Sequence, residues 1–360
     1  PLLLASCQES KWRMLGKLFS LHRTLTEGYF EVVKIDKDVK VELCIMLWPL
    51  LCEMKLKFSN LTDKSCPALA AVLSSKESFL RELDLGYNSF STSGVQELAE
   101  GLNSMTCRLK ILRLQGCGLT AETCQYLSQC LMQHQILQEL DLSSNGIGDR
   151  GLKLLSHGLG SSSCRLQTLK LYCCGLTVLS CESIGEALKS ETSTLLELNL
   201  SNNSLKDAGF KIICEGMYAW CSLQKLNVSR CGITGAGCRY LAKAVELIDL
   251  DLSMNHIGDK GVKEISPGLM NPLSHLKTLN LTYCSLTDSC CAELASGLMS
   301  KENILSELDL SHNNLQDKGV KKLYIGLQSP QLLTFTASTL IFLNMVDYTE
   351  APAVSASRLD

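Results

Sequence analysis

From Leu51 onward the chain repeats one hydrophobic template, L-x-x-L-x-L-x-x-[N/C]-x-[L/I], with polar residues filling most intervening positions. Its first leucines are Leu51, Leu80, Leu109, Leu137, Leu166, Leu195, Leu223, Leu247, Leu276 and Leu305, ten units at steps of 28 or 29 residues except for one of 24. The L-x-x-L-x-L run alternates apolar and polar positions, the pattern of a short strand with one buried face. The residues after it carry helical spacing, as from Gly151 to Leu159. Each unit therefore predicts one strand and one helix, too little to bury its own leucines. The units must stack, with the strands in a parallel sheet on one face and the helices on the other. Helices are wider than strands, so the stack curves into a horseshoe with the sheet on its concave side. The fold class is α/β, a solenoid. At the short step, from Leu223 to Leu247, the helix from Gly237 to Val245 runs almost directly into the next strand. Either the stack is pinched there or a segment is missing from the sequence.

Two kinds of unit alternate. One ends its strand in Asn, at Asn88, Asn145, Asn203, Asn255 and Asn313, and the other in Cys, at Cys117, Cys174, Cys231 and Cys284. The full repeat is thus a pair of units. An amide at that position can donate and accept at once and is expected to bond the backbone of the turn, while a thiol serves as a small buried hydrophobe. Asp149, Asp207, Asp259 and Asp317 are placed to cap helix starts in the Asn units, and Thr62, Thr120, Thr177 and Thr287 in the Cys units.

Composition narrows the function. Leucine supplies 69 of 360 residues, and 12 of the 19 cysteines fall at recurring template positions, which points to reduced structural thiols in a cytoplasmic protein and not to a disulfide framework. The adjacent pairs Cys173-Cys174 and Cys290-Cys291 lack the further ligands of a zinc site. A net charge of -3 gives no bulk basicity for nucleic acid. The longest apolar runs, Leu43 to Leu51 and Leu332 to Val346, are too short for a membrane span. There is no phosphate-binding loop, no nucleophile elbow, and no metal or triad spacing among the six histidines, so no catalytic residues, metal or cofactor are expected. The domains are a non-repeat flank at 1–50, the repeats at 51–330 and an irregular tail at 331–360. A start at Pro1, with no signal sequence, suggests a fragment.

The segments "LQELDLSSNGIGDRGLKLLSHGL" (137–159) and "LQTLKLYCCGLT" (166–177) resemble the ribonuclease-inhibitor type of leucine-rich repeat, and the resemblance runs from Leu51 to about Leu327. The alternation of "ELDLSxNxLxDxGVxxL" with "LxLxxCxLTxxxC" is similar to the repeat domains of vertebrate NOD-like receptors. That resemblance implies a right-handed α/β horseshoe and a non-enzymatic protein-interaction domain. Its role would be ligand sensing or autoinhibition in a cytosolic innate-immune receptor, with an upstream NACHT ATPase module absent from this chain as its intramolecular partner. The alternative is a ribonuclease-inhibitor-like protein that binds basic ribonucleases on an acidic concave face. Two features weaken it. Trp12, Trp48 and Trp220 lie outside the concave rows, and the motif stops before the tail. A purely structural adaptor is the third class.

Candidate partner-binding residues come from the strand positions that face the concavity. The central ladder holds Asp84, Arg113, Asp141, Lys170, Asp251 and Asp309, with Asn199, Asn227 and Asn280 between them, and its neighbour holds Glu82, Glu139, Glu197, Asp249 and Glu307 against Lys225. Nine carboxylates therefore face Arg113, Lys170, Lys225 and Arg230. An acidic surface of this kind steers basic protein partners. Tyr87, Tyr172, Tyr283, Met254 and His312, at the positions that follow, are candidate anchors.

Overall fold

The structure is a computed structural model that describes residues 52–133, 136–217, 221–327 and 340–342. It divides into two units, Pro1–Leu47 and Trp48–Asp360. The expected flank at 1–50 and Trp12, Trp48 and Trp220 lie outside the described residues.

In the second unit strands and helices alternate. The strands are β1 (Glu53–Lys55), β2 (Glu82–Asp84), β3 (Ile111–Arg113), β4 (Glu139–Asp141), β5 (Thr168–Lys170), β6 (Glu197–Asn199), β7 (Lys225–Asn227), β8 (Asp249–Asp251), β9 (Thr278–Asn280), β10 (Glu307–Asp309) and β11 (Leu340–Phe342). Between them run α1 (Cys66–Ser74), α2 (Thr92–Leu102), α3 (Thr123–Gln133), α4 (Gly148–Leu159), α5 (Ser180–Lys189), α6 (Lys206–Gly216), α7 (Gly235–Cys238), α8 (Gly258–Leu269), α9 (Cys291–Leu298) and α10 (Gln316–Leu327). The strands form one parallel sheet in chain order, each paired with the next in the same register. The middle residue of each strand thus falls in one column, and Leu83, Leu112, Leu140, Leu169, Leu198, Leu226, Leu250, Leu279 and Leu308 are buried in the core. The residues on either side of it stand on the opposite, solvent face. The result is the α/β leucine-rich-repeat solenoid that the template predicts.

What fixes one unit to the next is the Asn position. Asn203 Oδ1 accepts from Cys174 N and Leu176 N of the preceding unit, both at 3.0 Å, and its Nδ2 donates to Leu171 O at 2.9 Å and to Leu200 O of its own unit at 2.7 Å. Asn88, Asn145, Asn255 and Asn313 repeat this set on their own neighbours. The Cys position reaches back in the complementary sense. The Sγ atoms of Cys117, Cys174, Cys231 and Cys284 donate to Leu85 O, Leu142 O, Leu200 O and Leu252 O of the preceding Asn units, at 3.2–3.3 Å. Turn backbone that stacking removes from water is thereby satisfied in both kinds of unit.

The aspartates do something other than cap their own helices. Asp149 and Asp259 lie inside the first turns of α4 and α8, and the residues at the cap position, Ile147 and Ile257, make no side-chain cap bond. The Asp149 carboxylate instead receives Thr177 N at 2.7 Å and Thr177 Oγ1 at 2.6 Å from the next unit. Asp207 takes Thr234 and Asp259 takes Thr287 in the same way. The clasp spans one repeat, so the reading of these aspartates as local caps is corrected, although a negative charge in a first helical turn still favours the helix. Asp317 sits in the first turn of α10. Thr177 and Thr287 do accept from the backbone two residues on. Thr62 makes no such bond, and Thr120 donates to Glu122.

The short step leaves the sheet untouched, since β7 and β8 pair in ordinary register. The shortening falls on the helix layer, where α7 has four residues and continues as a tight 3₁₀ turn, Arg239–Lys243. An apolar pocket opens beside it, lined by Leu241, Leu247, Leu250, Ile265 and Leu269. At the other end β11 lies in the stretch expected to be irregular, with Ile341 in register with Leu308. β11 covers the parallel edge that β10 would otherwise leave open, and Leu-Ile-Phe has high strand propensity.

Asn203→Ala would strip Cys174 N, Leu176 N and Leu171 O of the amide that satisfies them and leave Leu200 O only the Cys231 thiol. At about 1–3 kcal/mol for each group left unsatisfied, the expected loss is about 3 kcal/mol or more, seen as a lower urea or thermal midpoint by circular dichroism. An unchanged midpoint would contradict the ladder.

The candidate interaction surface on the sheet face

The strand positions on the solvent face form the two predicted columns. In the central one Asp84, Asp141, Asp251 and Asp309 each turn Oδ1 onto the backbone N–H two residues on, at Gly86, Ser143, Ser253 and Ser311, all at 2.9 Å. Asn199, Asn227 and Asn280 make the same turn. This Asx turn ends the strands that carry Asp or Asn there, so these carboxylates hold the scaffold with one oxygen. Asp84 and Asp141 are buried.

The face divides electrostatically. Across β2–β5 two of the four carboxylates, Glu82 and Glu139, are neutralised by ion pairs. Arg113 pairs with Glu82, its Nε lies 3.1 Å from Glu139 Oε1, and Lys170 Nζ reaches the same oxygen at 3.1 Å. These are diagonal contacts between neighbouring strands in different columns, which the register makes possible. Burial works against the Arg113 guanidinium, but Glu82 and Glu139 more than offset it and its pKa rises.

Across β6–β10 the described residues show no ion pair to Glu197, Asp249, Asp251, Glu307 or Asp309. Asp251 Oδ2 accepts from Asn227 Nδ2 at 3.0 Å. Burial raises the pKa of Asp249, and Asp251, Glu307 and Glu197 add to that against the opposing effect of Lys225. The C-terminal half of the face is therefore an acidic surface held together against its own repulsion.

The turn after each strand supplies the third row. Phe58, Tyr87, Gly116, Ser144, Cys173, Asn202, Arg230, Met254, Tyr283 and His312 all have φ between +51 and +62°. Left-handed backbone turns these side chains outward beside the sheet face. Tyr283 stacks on His312 with centroids 4.2 Å apart, next to exposed Met254. At the other end Tyr87 stacks on Phe58 at 4.5 Å, with Lys57 Nζ 4.9 Å from the Tyr87 centroid. Tyr172 does not belong to this row. Cys173 takes the left-handed position in its unit, so Tyr172 aligns with Gly86 and Ser143. Phe58 and Lys57 were not among the sequence candidates, because their unit carries Ser59 where the template asks for Asn or Cys.

The 17 described cysteines are free thiols and all but Cys52 and Cys173 are buried or half-buried away from solvent. Burial pushes the Cys174 thiol up to about 12 and that of Cys117 to about 11. Both of these thiols remain protonated, as structural thiols do. Among the described residues no group of three or more His, Cys, Asp or Glu is arranged to hold a metal ion. No helix among them is long and apolar enough to cross a membrane.

This chain carries leucine-rich repeats. The Leucine Rich repeat family profile matches it at 77–99, 133–156, 193–214, 221–242, 247–266, 273–295 and 303–323. It is similar to the ribonuclease inhibitor of Mus musculus, 39% identical over 242 residues, 66% of this chain and 53% of the relative. It is equally similar to NACHT, LRR and PYD domains-containing protein 3 of Macaca mulatta, 39% identical over 244 residues, 66% of this chain and 23% of the relative. The chain thus spans about half the length of the inhibitor and a quarter of the receptor. Among solved structures it is similar to an internalin of Listeria monocytogenes, at 15% identity and a TM-score of 0.41, covering 84% of this chain and 91% of that one.

Asp249 gives a test of the crowded charge. A carboxyl whose folded pKa is raised costs stability above that pKa, and the cost fades as pH falls through it. Asp249→Asn is therefore expected to raise the melting midpoint slightly at pH 7, with the gain shrinking toward pH 4. A gain that grows on acidification would mean that Asp249 is held by a favourable partner.

Proposed function

We propose that this array is a protein-docking domain without catalysis of its own, which engages a basic protein surface on the C-terminal half of its sheet face. The observation that carries the reading is the division of that face. On β2–β5 Glu82 and Glu139 are paired by Arg113 and Lys170 and Asp84 and Asp141 are buried, whereas Glu197, Asp249, Asp251, Glu307 and Asp309 have Lys225 as the cation of their columns, beside exposed Met254 and Tyr283, the latter stacked on half-buried His312. Carboxylates steer and orient a cationic partner, and flanking aromatic and Met side chains supply buried contact area.

Within that class, the reading we favour is the ligand-sensing or autoinhibitory repeat region of a cytoplasmic, NACHT-containing innate-immune receptor, with either an external protein or its own NACHT module as the partner. The similarity to NACHT, LRR and PYD domains-containing proteins supports it. The alternative is a ribonuclease-inhibitor-like protein that binds basic ribonucleases, supported by the similarity to ribonuclease inhibitors and by the same acidic surface.

The test is calorimetric titration of the chain with a NACHT module from a mammalian relative and, separately, with a pancreatic-type ribonuclease. Asp249→Asn/Asp251→Asn/Glu307→Gln should weaken the productive pair by about tenfold or more, roughly 1.4 kcal/mol. Arg113→Ala, which releases Glu82 and Glu139, should leave that pair unchanged or strengthen it. Ribonuclease binding without NACHT binding would favour the alternative. Binding that ignores the triple variant would sink the sheet-face reading under either name.

A further inference from the structure

A different edge of the array carries the opposite electrical character. The residue just before the first leucine of each unit lies on the rim where the chain enters the sheet. In the units of β2–β5 this column reads Phe79, Arg108, Ile136 and Arg165, all exposed. These strands pair in register, so neighbours in the column are about 5 Å apart. The connecting segments 75–81, 103–110, 134–138 and 160–167 contain Lys76, Arg81, Arg108, Lys110 and Arg165 against Glu77. In the later units the same column reads Thr194, Ser222, Glu246, His275 and Ile304. The arginines of the column are confined to the first half, although exposed apolar groups, Met270, Leu273 and Ile304, recur on the later connections.

The cations of this rim are positioned by backbone and ring contacts. Arg81 Nη1 donates to the Phe79 and Arg108 carbonyls at 3.3 and 3.5 Å, and Arg165 Nη1 to those of Ser162 and Cys164 at 2.8 and 2.9 Å. The Arg108 guanidinium lies 5.2 Å from the Phe79 ring centroid. Among the described residues no carboxylate forms an ion pair with Arg81, Arg108, Lys110 or Arg165. Large apolar side chains stand among them. Phe79 is 50% exposed, Met132 40% and Ile136 38%, while Met105 is wholly exposed. Clustered exposed apolar groups rimmed by charge mark binding surfaces. Arg, Met and aromatic residues are the types enriched at interfaces, and Met adapts to the shape of what covers it.

We propose that this rim is a second docking surface, which takes an acidic amphipathic segment of a protein partner. The cations lack internal counter-charges, so complementary charge must come from outside. The apolar groups alternate with them at a spacing that the apolar stripe of a helix, at i, i+3, i+4 and i+7, can follow across three or four units. The same scaffold would then hold a basic partner on the sheet face and an acidic one on the strand-entry rim.

The experiment is fluorescence anisotropy of the full chain with a labelled synthetic helix bearing Leu at i, i+3, i+4 and i+7 and Glu elsewhere, beside a control with Lys for Glu. Sedimentation with phosphatidylserine vesicles runs in parallel. The Glu peptide should bind, weaken as salt rises from about 50 to 300 mM, and lose about tenfold in affinity both in Met105→Ser/Arg108→Glu and in Ile136→Ser/Arg165→Glu. The replaced side chains are exposed, so both variants should keep the parental melting midpoint, and Asp249→Asn should bind as the parent does. Equal binding of the Lys peptide, retention of binding in both variants, or vesicle binding without peptide binding would each overturn the proposal.

Discussion

The array rests on the need to satisfy turn backbone that stacking removes from water. A flat ladder joins the strands, but the chain must then leave each strand in a left-handed turn, and the N–H and C=O groups of that turn point at the next unit. Asn203 and its equivalents meet this need with one amide that accepts twice and donates once across the boundary and donates again within its own unit. The Cys units need only one weak donor in return. A pair of unlike units is therefore the smallest closed set of bonds, which is why the sequence repeats in pairs. The Asp–Thr clasp is a second bond set of the same span, on the helix side of the turn.

That constraint also decides which positions are free to evolve a binding surface. The middle residue of each strand is taken by the core and the Asn or Cys by the turn. At the last strand position an Asp or Asn is favoured because it closes the Asx turn. The acidity of the central column is thus partly structural. The first strand position, the left-handed turn residue and the residue before the unit carry no such duty. Arg113 and Lys170 replace the turn-closing residue in their units and spend their charge on Glu82 and Glu139.

The fold was legible because its cause is local and repeated. The leucine template and the Asn–Cys alternation each follow from one unit's sequence, and the structure contains both as read. Features that depend on where two units meet were harder to see. The aspartates were read as caps because they stand at helix starts, but their partners lie 27 or 28 residues away. Tyr172 stands one position nearer the first leucine of its unit than Tyr87, Met254, Tyr283 and His312 do, and the left-handed turn falls on Cys173. The sequence of β11 lacks the template, and what places it is the backbone edge of β10. The alternating signs of the central column were visible, but the neutralising contacts run diagonally to the first column, which only the register makes plain.

The short helical step shows how far the two layers are independent. Removing residues between β7 and β8 reduces α7 to a single turn and opens an apolar pocket, yet the strands pair as they do elsewhere. The sheet is set by bonds between backbones a fixed distance apart, whereas the helix layer fills whatever length the chain provides. A partner that reads the sheet face therefore meets an unbroken ladder of side chains across the irregular repeat. The acidic half, which runs from β6 to β10 through that repeat, keeps its geometry because the cost of the shortening is confined to the opposite side.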